Sequence, residues 1–176
     1  SNDIREALEA SIERNKNLNH FMANYASVVK IPDPQKEPLD MNHLIHQVLL
    51  LFGDQLNRNG IRLIKDLSDH SPVIHADRPQ LEQVLVNILK NSIEAIDQQG
   101  AIVIRTSDDP LHIRILDNGR GIPEGSQSKI FTPFYSEKKN GQGIGLTFIR
   151  EVLLAHRFTF SLSSNADGWT EFLIRF

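Results

Sequence analysis

The sequence predicts an α/β fold: a two-layer sandwich in which helices cover one face of a mixed sheet, preceded by an isolated helix. The first observation behind this prediction is that amphipathic helical patterns alternate with short strand patterns along residues 36–176. The second is that turn-forming residues join strand patterns in pairs, at residues 107–110 and 165–168. Helices placed among hairpin-linked strands bury their apolar stripes against the sheet, which gives two layers.

The composition narrows the possible functions. A length of 176 residues suggests one ordinary domain with an appendage, and 40% hydrophobic residues are enough for a core. The net charge of −3 argues against a nucleic-acid partner, because phosphate backbones attract basic surfaces. The chain has no cysteine, which excludes disulfides and is compatible with the cytosol. No apolar run approaches a membrane span, so we expect a cytoplasmic fragment without membrane contact.

Residues 3–30 are charged and helix-prone, and their apolar residues fall at heptad-like spacing, interrupted by Ser11 and Asn15. These apolar positions are Ile4, Leu8, Leu18, Met22, Tyr25 and Val29. An amphipathic helix packed on the domain is one interpretation. The sequence IPDP at residues 31–34 ends the pattern and forms a short linker. The chain begins at Ser1 without an initiator methionine, so we interpret it as a piece of a protein whose parent could be membrane-anchored upstream.

Local signals predict the elements of the main domain in chain order. Residues 36–39 form an edge strand, because Pro38 removes one ladder donor. Asp40 caps a helix from residue 41 to about residue 59, which Gly60 ends. Asp77 caps the next helix, which ends near residue 100. The remaining predicted strands are residues 61–66, 73–75, 101–106, 111–116, 158–163 and 170–176, and a last helix runs from the glycines at 141–145 to about residue 155.

The helix of residues 81–96 carries a distinctive polar edge. At the helical period, Gln83, Asn87, Asn91 and Glu94 share one narrow stripe. Carboxamides donate and accept hydrogen bonds, and they suit a site that holds a hydrated Mg²⁺ beside phosphate oxygens. A solvated polar face gives the same stripe, so both interpretations stay open on this pattern alone. The opposite side of the helix consists of Leu81, Val84, Leu85, Ile88, Ser92, Ala95 and Ile96.

Two glycine-rich stretches follow. The sequence DNGRGIP at residues 117–123 comes directly after a predicted strand, and Asp117 at the strand end can accept a hydrogen bond from an exocyclic amine. An ordinary turn with Gly119 is the alternative. The sequence GQGIGL at residues 141–146 opens a helix, whose N–H groups and positive dipole end suit a phosphate chain. A glycine loop without a ligand is the alternative there.

Four motifs in this order resemble the N, G1, F and G2 boxes of the ATP-binding domain of bacterial sensor histidine kinases, in the GHKL ATPase superfamily. The F box corresponds to residues 130–134, of sequence IFTPF. The resemblance implies a Bergerat-type ATP-binding fold that uses ATP and Mg²⁺. It also implies a partial dimerisation and phosphotransfer helix at residues 1–31, a linker at residues 32–35 and a catalytic domain at residues 36–176.

The resemblance implies roles for individual residues. Asn87 and Asn91 are expected to hold Mg²⁺ and phosphates. Asp117 is expected to bind the adenine amino group, so that ATP is preferred over GTP. The other residues expected at the nucleotide are Gly119, Gly121, Ile122, Gly141, Gly143, Ile144, Gly145, Leu146 and Thr170.

Between the two glycine stretches the resemblance implies a lid, roughly residues 124–142. Phe131 and Phe134 are expected to anchor it to the core, which for an aromatic pair is close to ordinary packing. Lys138 is the expected contact to the terminal phosphate, and Lys139 is the alternative.

The asparagine stripe also bears on the reaction. Relatives that hydrolyse ATP, such as gyrase and the mismatch-repair ATPases, carry a glutamate one turn before the metal asparagine, where this chain has Asn87. Without that general base we expect little hydrolysis, and transfer of the γ-phosphoryl group to an outside nucleophile. In the family this nucleophile is a histidine on the first dimerisation helix. His20 lacks the neighbours found beside it, so we expect the acceptor to be absent from this chain.

The resemblance further implies partners: the upstream acceptor helix, a response regulator receiver domain and a second copy in a full-length homodimer. The sequence departs from the family at Ser92, where alanine is usual, and at Arg157-Phe158, which replaces a glycine pair. Two other functions stay open. One is a serine kinase of the anti-sigma type that acts on a partner protein, and the other is a non-catalytic docking module.

Overall fold

The computed structural model describes residues 4–6, 8, 11–12, 14–15, 31–133, 135–136 and 143–176. The described residues before Ile31 are helical, and Ile4, Leu8 and Ile12 among them are exposed. The other predicted heptad positions, Leu18, Met22, Tyr25 and Val29, and also His20, lie outside the described residues. The assignment of residues 1–31 to a dimerisation helix therefore stays a prediction. Within the described part of the chain, no helix combines the length and apolarity needed to cross a membrane.

From Ile31 onward the described residues form seven strands and four helices. The strands are β1 (Glu37–Asp40), β2 (Ile61–Asp66), β3 (Val73–Ala76), β4 (Gly100–Asp108), β5 (Leu111–Asp117), β6 (Thr159–Ser164) and β7 (Thr170–Arg175). The helices are α1 (Met41–Leu50), α2 (Gly53–Arg58), α3 (Arg78–Ala95) and α4 (Gly145–His156).

Five strands make one mixed sheet in the order β2-β4-β5-β7-β6. The β2–β4 pair is parallel and the other three pairs are antiparallel. Residues of α1 and α3 surround three isoleucines on one face of β4 and β5, which places these helices on that face. The residues of this contact are Ile45, Val48, Leu85, Leu89, Ile104, Ile113 and Ile115. The predicted two-layer α/β sandwich with a mixed sheet is confirmed.

The predicted helix of residues 41–59 is wrong in one respect, because it is two helices, α1 and α2, separated at Leu51 and Phe52. At the end of α1 the N–H groups of Leu51 and Phe52 donate to carbonyls three residues earlier, a tightening typical of a helix end. The apolar run LLLF at residues 49–52 cannot point entirely into the core from one straight helix. The break buries Phe52 and leaves Leu50 and Leu51 exposed.

The edge strand predicted at residues 36–39 is β1, and it lies outside the main sheet. It pairs antiparallel with β3 in a separate two-stranded sheet, with Pro38 opposite His75. Asp40 ends this strand and caps α1, as predicted, by accepting a hydrogen bond from the N–H of His43 at 2.8 Å.

Helix α3 positions the candidate site. Asp77 caps it as predicted, accepting from the N–H of Gln80 at 3.1 Å, and Pro79 lies in the first turn. Of the predicted inner side, all but the half-buried Ala95 are buried, while Gln83 and Glu94 are exposed. The helix packs on β5 and on α4, so its polar edge runs between the sheet and the start of the last helix.

Candidate nucleotide-binding site

The polar edge of α3 forms one border of the candidate site. Asn87 and Asn91 are half-buried, and the side-chain N–H of Gln83 donates to Oδ1 of Asn87 at 3.2 Å. Glu94 at the end of the stripe lies 3.9 Å from the ammonium of Lys90. The two asparagines therefore present carboxamide groups at the rim of the core, where neutral groups are cheaper to hold than charges.

Asp117 is the last residue of β5 and is only 5% exposed. Its Oδ1 accepts a hydrogen bond from the N–H of Gly119 at 3.1 Å. Burial raises the pKa of the Asp117 carboxyl above its ordinary value, while hydrogen bonds from the Ser92 side chain and the Gly119 N–H act in the opposite direction. A buried carboxylate held by two donors, with lone pairs to spare, can recognise a further donor from a ligand.

Ser92 is a site residue that sequence reasoning did not identify. We treated it as a departure from alanine on the buried side of α3, whereas its hydroxyl donates to Asp117. The signal was present in the sequence: Ser92 is the polar residue on an otherwise apolar helix side, directly after Asn91. This contact ties the asparagine helix to the strand end.

The loop after Asp117 is fastened to the end of α3 and to β4. The N–H of Arg120 donates to the carbonyl of Ala95 at 3.0 Å, and Oδ1 of Asn118 accepts from the N–H of Ala101 at 2.7 Å. A Cβ on Gly119 would lie 2.6 Å from the oxygen of Ala95. The loop can approach the helix this closely because residue 119 has no side chain.

Further along, the same loop is fastened to the last hairpin. Gly121 adopts a φ of 76°, in the left-handed region, and the N–H of Ile122 donates to Oγ of Ser164 at 2.9 Å. Oγ of Ser164 also lies 2.9 Å from Oγ1 of Thr170, which is buried and directly opposite Asp117 in the β5–β7 register. The structure thus brings Asp117, Gly121, Ile122 and Thr170 together.

Ser164 is the second residue that sequence reasoning missed. It is the last residue of β6, and its partner in the register is Thr170, the first residue of β7. The available signal was weak, since it required the register of the final hairpin to be known in advance.

The segment after this loop is described at residues 124–133 and 135–136. The ring of Phe131 packs edge-on against Phe160 at 5.3 Å and Phe172 at 6.4 Å between centroids. The hydroxyl of Tyr135 donates to Oγ of Ser126 at 3.0 Å. The predicted site residues Phe134, Lys138 and Gly141, together with Lys139, lie outside the described residues.

The second glycine stretch is described from Gly143, whose φ of 65° again requires the left-handed region. Helix α4 begins at Gly145 after Ile144, whose side chain makes no capping hydrogen bond, and the first turn contains no acidic residue. Ile144 is buried and Leu146 is half-buried. A helix start that lacks both a side-chain acceptor and a carboxylate is a suitable place for an anionic ligand.

The far ends of α3 and α4 meet at His156. Its Nε2 accepts from the N–H of Asp77 at 3.0 Å and its Nδ1 lies 2.8 Å from the carbonyl of Val152. Burial lowers the pKa of the His156 imidazole, the neighbouring Lys36 lowers it further, and the bond to Val152 and the charge of Asp77 oppose the shift. The ring is therefore neutral with its proton on Nδ1, and it connects the two helices.

Among the residues that the structure describes, no three His, Asp or Glu side chains gather into a group that could hold a metal ion. A metal at the polar edge of α3 would have to rely on carboxamide oxygens together with oxygens of the ligand.

With this geometry in view, comparisons with known proteins become informative. The family described as histidine kinase-, DNA gyrase B- and HSP90-like ATPase matches residues 76–176. The chain is 33% identical to sporulation kinase A of Bacillus subtilis (strain 168) over 143 residues, covering 80% of this chain and 24% of the relative. It is 31% identical to the sensor histidine kinase ZraS of Escherichia coli (strain K12) over 159 residues, covering 89% of this chain and 34% of the relative. The chain thus spans between a quarter and a third of the length of these two relatives.

Solved structures show the same likeness. The catalytic domain of the histidine kinase ThkA superposes with a TM-score of 0.73 at 27% identity, covering 80% of this chain and 95% of that domain. ThkA in complex with the response regulator protein TrrA gives a TM-score of 0.78 at 23% identity, covering 93% of this chain and 48% of that one, which at this identity shows the fold alone.

Proposed function

The chain belongs to the family of histidine kinase-, DNA gyrase B- and HSP90-like ATPases, and we propose that it is the catalytic part of a longer two-component signalling kinase. In this proposal it binds ATP with Mg²⁺ and donates the γ-phosphoryl group to a histidine on an upstream dimerisation helix. The observation that carries the proposal is Asp117, a buried carboxylate held by Ser92 and Gly119 at the end of β5.

Asp117 is proposed to select the base. A carboxylate accepts hydrogen bonds only, so it binds the amino group of adenine and repels the carbonyl that guanine presents at the same position. Gly119, Gly121 and Ile122 form the backbone beside it, and Thr170 lies opposite it in the sheet. The buried position strengthens each of these contacts.

The asparagine edge is proposed to hold the metal and phosphates. Asn87 and Asn91 supply the oxygen ligands that Mg²⁺ prefers, and in exchange Asn87 gives up its bond with Gln83. Bound Mg²⁺ would neutralise phosphate charge during transfer. On the other side, Gly143, Ile144, Gly145 and Leu146 would offer the N–H groups at the start of α4 to the phosphates. These assignments, with Phe131, Phe134, Lys138 and Gly141 on the lid side, remain proposals.

The proposed reaction is transfer rather than hydrolysis. Asn87 occupies the position where hydrolysing relatives carry a glutamate, and a carboxamide cannot take a proton from water. The domain therefore holds the γ-phosphoryl group in line for a nucleophile that another helix provides. A response regulator would then receive the phosphoryl group, in keeping with relatives named as sensor histidine kinases.

The proposal is tested by supplying the missing acceptor. The chain is incubated with ATP-Mg²⁺ and a separately prepared helical hairpin that carries an acceptor histidine. We expect an acid-labile phosphohistidine on the hairpin and little free phosphate. Asn91→Ala should abolish the transfer, while Gln83→Ala, an exposed position on the same helix edge, should retain it. Acid-stable phosphoserine on a partner protein, or rapid release of phosphate without transfer, would contradict the proposal.

A further inference from the structure

The segment that leads into the domain is attached to both helices that border the candidate site. The N–H of Gln35 donates to Oδ2 of Asp77 at 2.9 Å, and the ammonium of Lys36 donates to the carbonyl of His156 at 2.8 Å. The side chain of Gln80 donates to the carbonyl of Pro32 at 2.9 Å. Residues 32–36 therefore contact the first residues of α3 and the last residue of α4.

Asp77 serves two elements at once. Its Oδ1 caps α3 through the N–H of Gln80, and its Oδ2 accepts from Gln35 of the linker. The residue is 8% exposed, so neither oxygen is easily satisfied by water instead. Moving the linker away would leave one buried carboxylate oxygen without its donor.

His156 completes the junction from the side of α4. Its ring accepts from the N–H of Asp77 and donates to Val152, and the ring is 2% exposed. Lys36 contacts the same residue through its carbonyl and lies 5.9 Å from the ring centroid of Phe158. The linker, the start of α3 and the end of α4 thus form one hydrogen-bonded unit.

Gln80 adds to the dependence on the linker. Its side chain is buried, and within the described part of the chain its Oε1 has no hydrogen-bond partner. The bond to Pro32 is then the compensation that this amide receives for leaving water.

The junction is remote from the ligand contacts but rigidly connected to them. Asn87 and Asn91 lie 10 and 14 residues after Asp77 in the same helix, which is about 15–21 Å along its axis. Helix α4 runs from the second glycine stretch to His156 and packs against α3. Any change in spacing between the two helices at the junction therefore changes the width of the phosphate side.

We propose that Asp77 and His156 are positioning residues that fix α3 against α4 and fasten residues 32–36 to both, so that docking of the linker and binding of ATP favour each other. The proposal rests on the proposed function, because ATP is the ligand whose affinity responds. Coupling of this kind is reciprocal: docking of the linker raises the affinity for ATP, and ATP raises the protection of the linker by the same factor.

The test uses Asp77→Asn in the intact chain. Asparagine still caps a helix, but one of the two acceptor oxygens becomes a donor, so the cap and the linker cannot both be served. Hydrogen exchange of the peptide that contains the Gln35 amide is measured with and without saturating ATP-Mg²⁺, and the ATP dissociation constant is measured by calorimetry. We expect faster exchange at Gln35, loss of the ATP-dependent protection and an affinity lower by about three- to tenfold, the range of one lost hydrogen bond.

A matched control is Asp40→Asn. Asp40 also caps a helix, α1, and also accepts a second hydrogen bond, from Ser71, but it contacts neither the linker nor α3. It should leave the ATP affinity and the exchange at Gln35 unchanged. Lys36→Met removes the ammonium that reaches His156 and should repeat the Asp77→Asn result in a variant whose helix caps are intact.

The outcomes separate this inference from the function on which it rests. If the unaltered chain binds ATP and both variants bind it equally well with unchanged protection at Gln35, the inference is overturned and the proposed function stands. If the unaltered chain does not bind ATP, the proposed function fails and the coupling fails with it. If Asp40→Asn weakens ATP binding as much as Asp77→Asn, the effect is general destabilisation and the inference is also overturned.

Discussion

The two sides of the candidate site are built differently. On the base side, residues 117–122 are held by hydrogen bonds from α3, β4 and β6, and Asp117 and Thr170 face each other from buried positions. On the phosphate side, the described contacts are local: Oγ1 of Thr147 lies 3.4 Å from the carbonyl of Gly143, and α4 starts without a side-chain cap. The base side is complete before a ligand arrives, whereas the phosphate side leaves its N–H groups for the ligand to satisfy.

This difference assigns separate tasks to the two sides. A preformed and buried set of acceptors discriminates between ligands, because a wrong group leaves a buried atom unpaired. A helix start that offers N–H groups attracts any phosphate chain without choosing the base. We therefore expect substitutions on the base side to change which nucleotide binds and to act more strongly than substitutions elsewhere.

The largest effect is expected from Gly119→Ala, which breaks the base side. Its Cβ would lie 2.6 Å from the oxygen and 2.7 Å from the carbonyl carbon of Ala95. Because both are backbone atoms, the loop has to move, which costs about 1–3 kcal/mol of unfolding free energy, and calorimetry should detect no ATP binding. Gly53→Ala is the control, since a Cβ there meets nothing within 4 Å. Equal behaviour of the two variants would contradict the described attachment of the loop.

A smaller but more specific effect is expected from Asp117→Asn. Loss of a charged acceptor weakens ATP binding by about 1.5–3 kcal/mol, or roughly 10- to 150-fold. Burial raises the pKa of Asp117, so its contribution to stability is present below the unfolded pKa and is lost as the pH rises through the folded one. At neutral pH the neutral amide should therefore raise the free energy of unfolding of the ligand-free chain while binding is lost. Asp97→Asn, an exposed position, should change neither quantity.

Ser164→Ala sharpens the comparison, because it removes a support of the base side without touching Asp117. The N–H of Ile122 and the hydroxyl of Thr170 both lose a partner. We expect ATP affinity to fall by about 0.5–1.5 kcal/mol. Ser163→Ala, one residue earlier and exposed, is the matched control in the same titration. An unchanged affinity in Ser164→Ala would mean that the last hairpin does not hold the loop.

The smallest expected effect is a pH dependence that arises at the far ends of α3 and α4. The pKa of His156 is lowered by burial, so its contribution to stability is fully present above the unfolded pKa of about 6.5 and is lost as the pH falls toward the folded value. Denaturant unfolding at pH 7.5 and 5.5 should show a larger loss for the unaltered chain than for His156→Gln. The exposed position His75 provides the control, since His75→Gln should keep the full loss.

The sequence predicted the parts of the molecule that depend on local signals. The caps at Asp40 and Asp77, the two faces of α3 and the strand that ends at Asp117 follow from periodicity and from single residues at fixed offsets. The mixed sheet followed from the order of elements. The break after α1 was missed, because the choice between one straight helix and two depends on how the core accepts Phe52.

The contacts that fasten the site were not predictable in the same way. Ser164 and Ile122 are 42 residues apart and meet only because β5, β7 and β6 are adjacent. Ser92 looked like a substitution in an apolar face, and its role became visible only with Asp117 beside it. Motif spacing predicts which residues belong to a site, whereas the support of that site depends on long-range register.

The central claim is that Asp117 and its supports form a site for adenine, and the most direct measurement is calorimetric titration of the chain with ATP-Mg²⁺ and, separately, with GTP-Mg²⁺. We predict saturable binding of ATP and no detectable binding of GTP. At about 100 times its dissociation constant, ATP should stabilise the fold by roughly 2.7 kcal/mol. Absence of heat with ATP, or equal binding of ATP and GTP, would contradict the account.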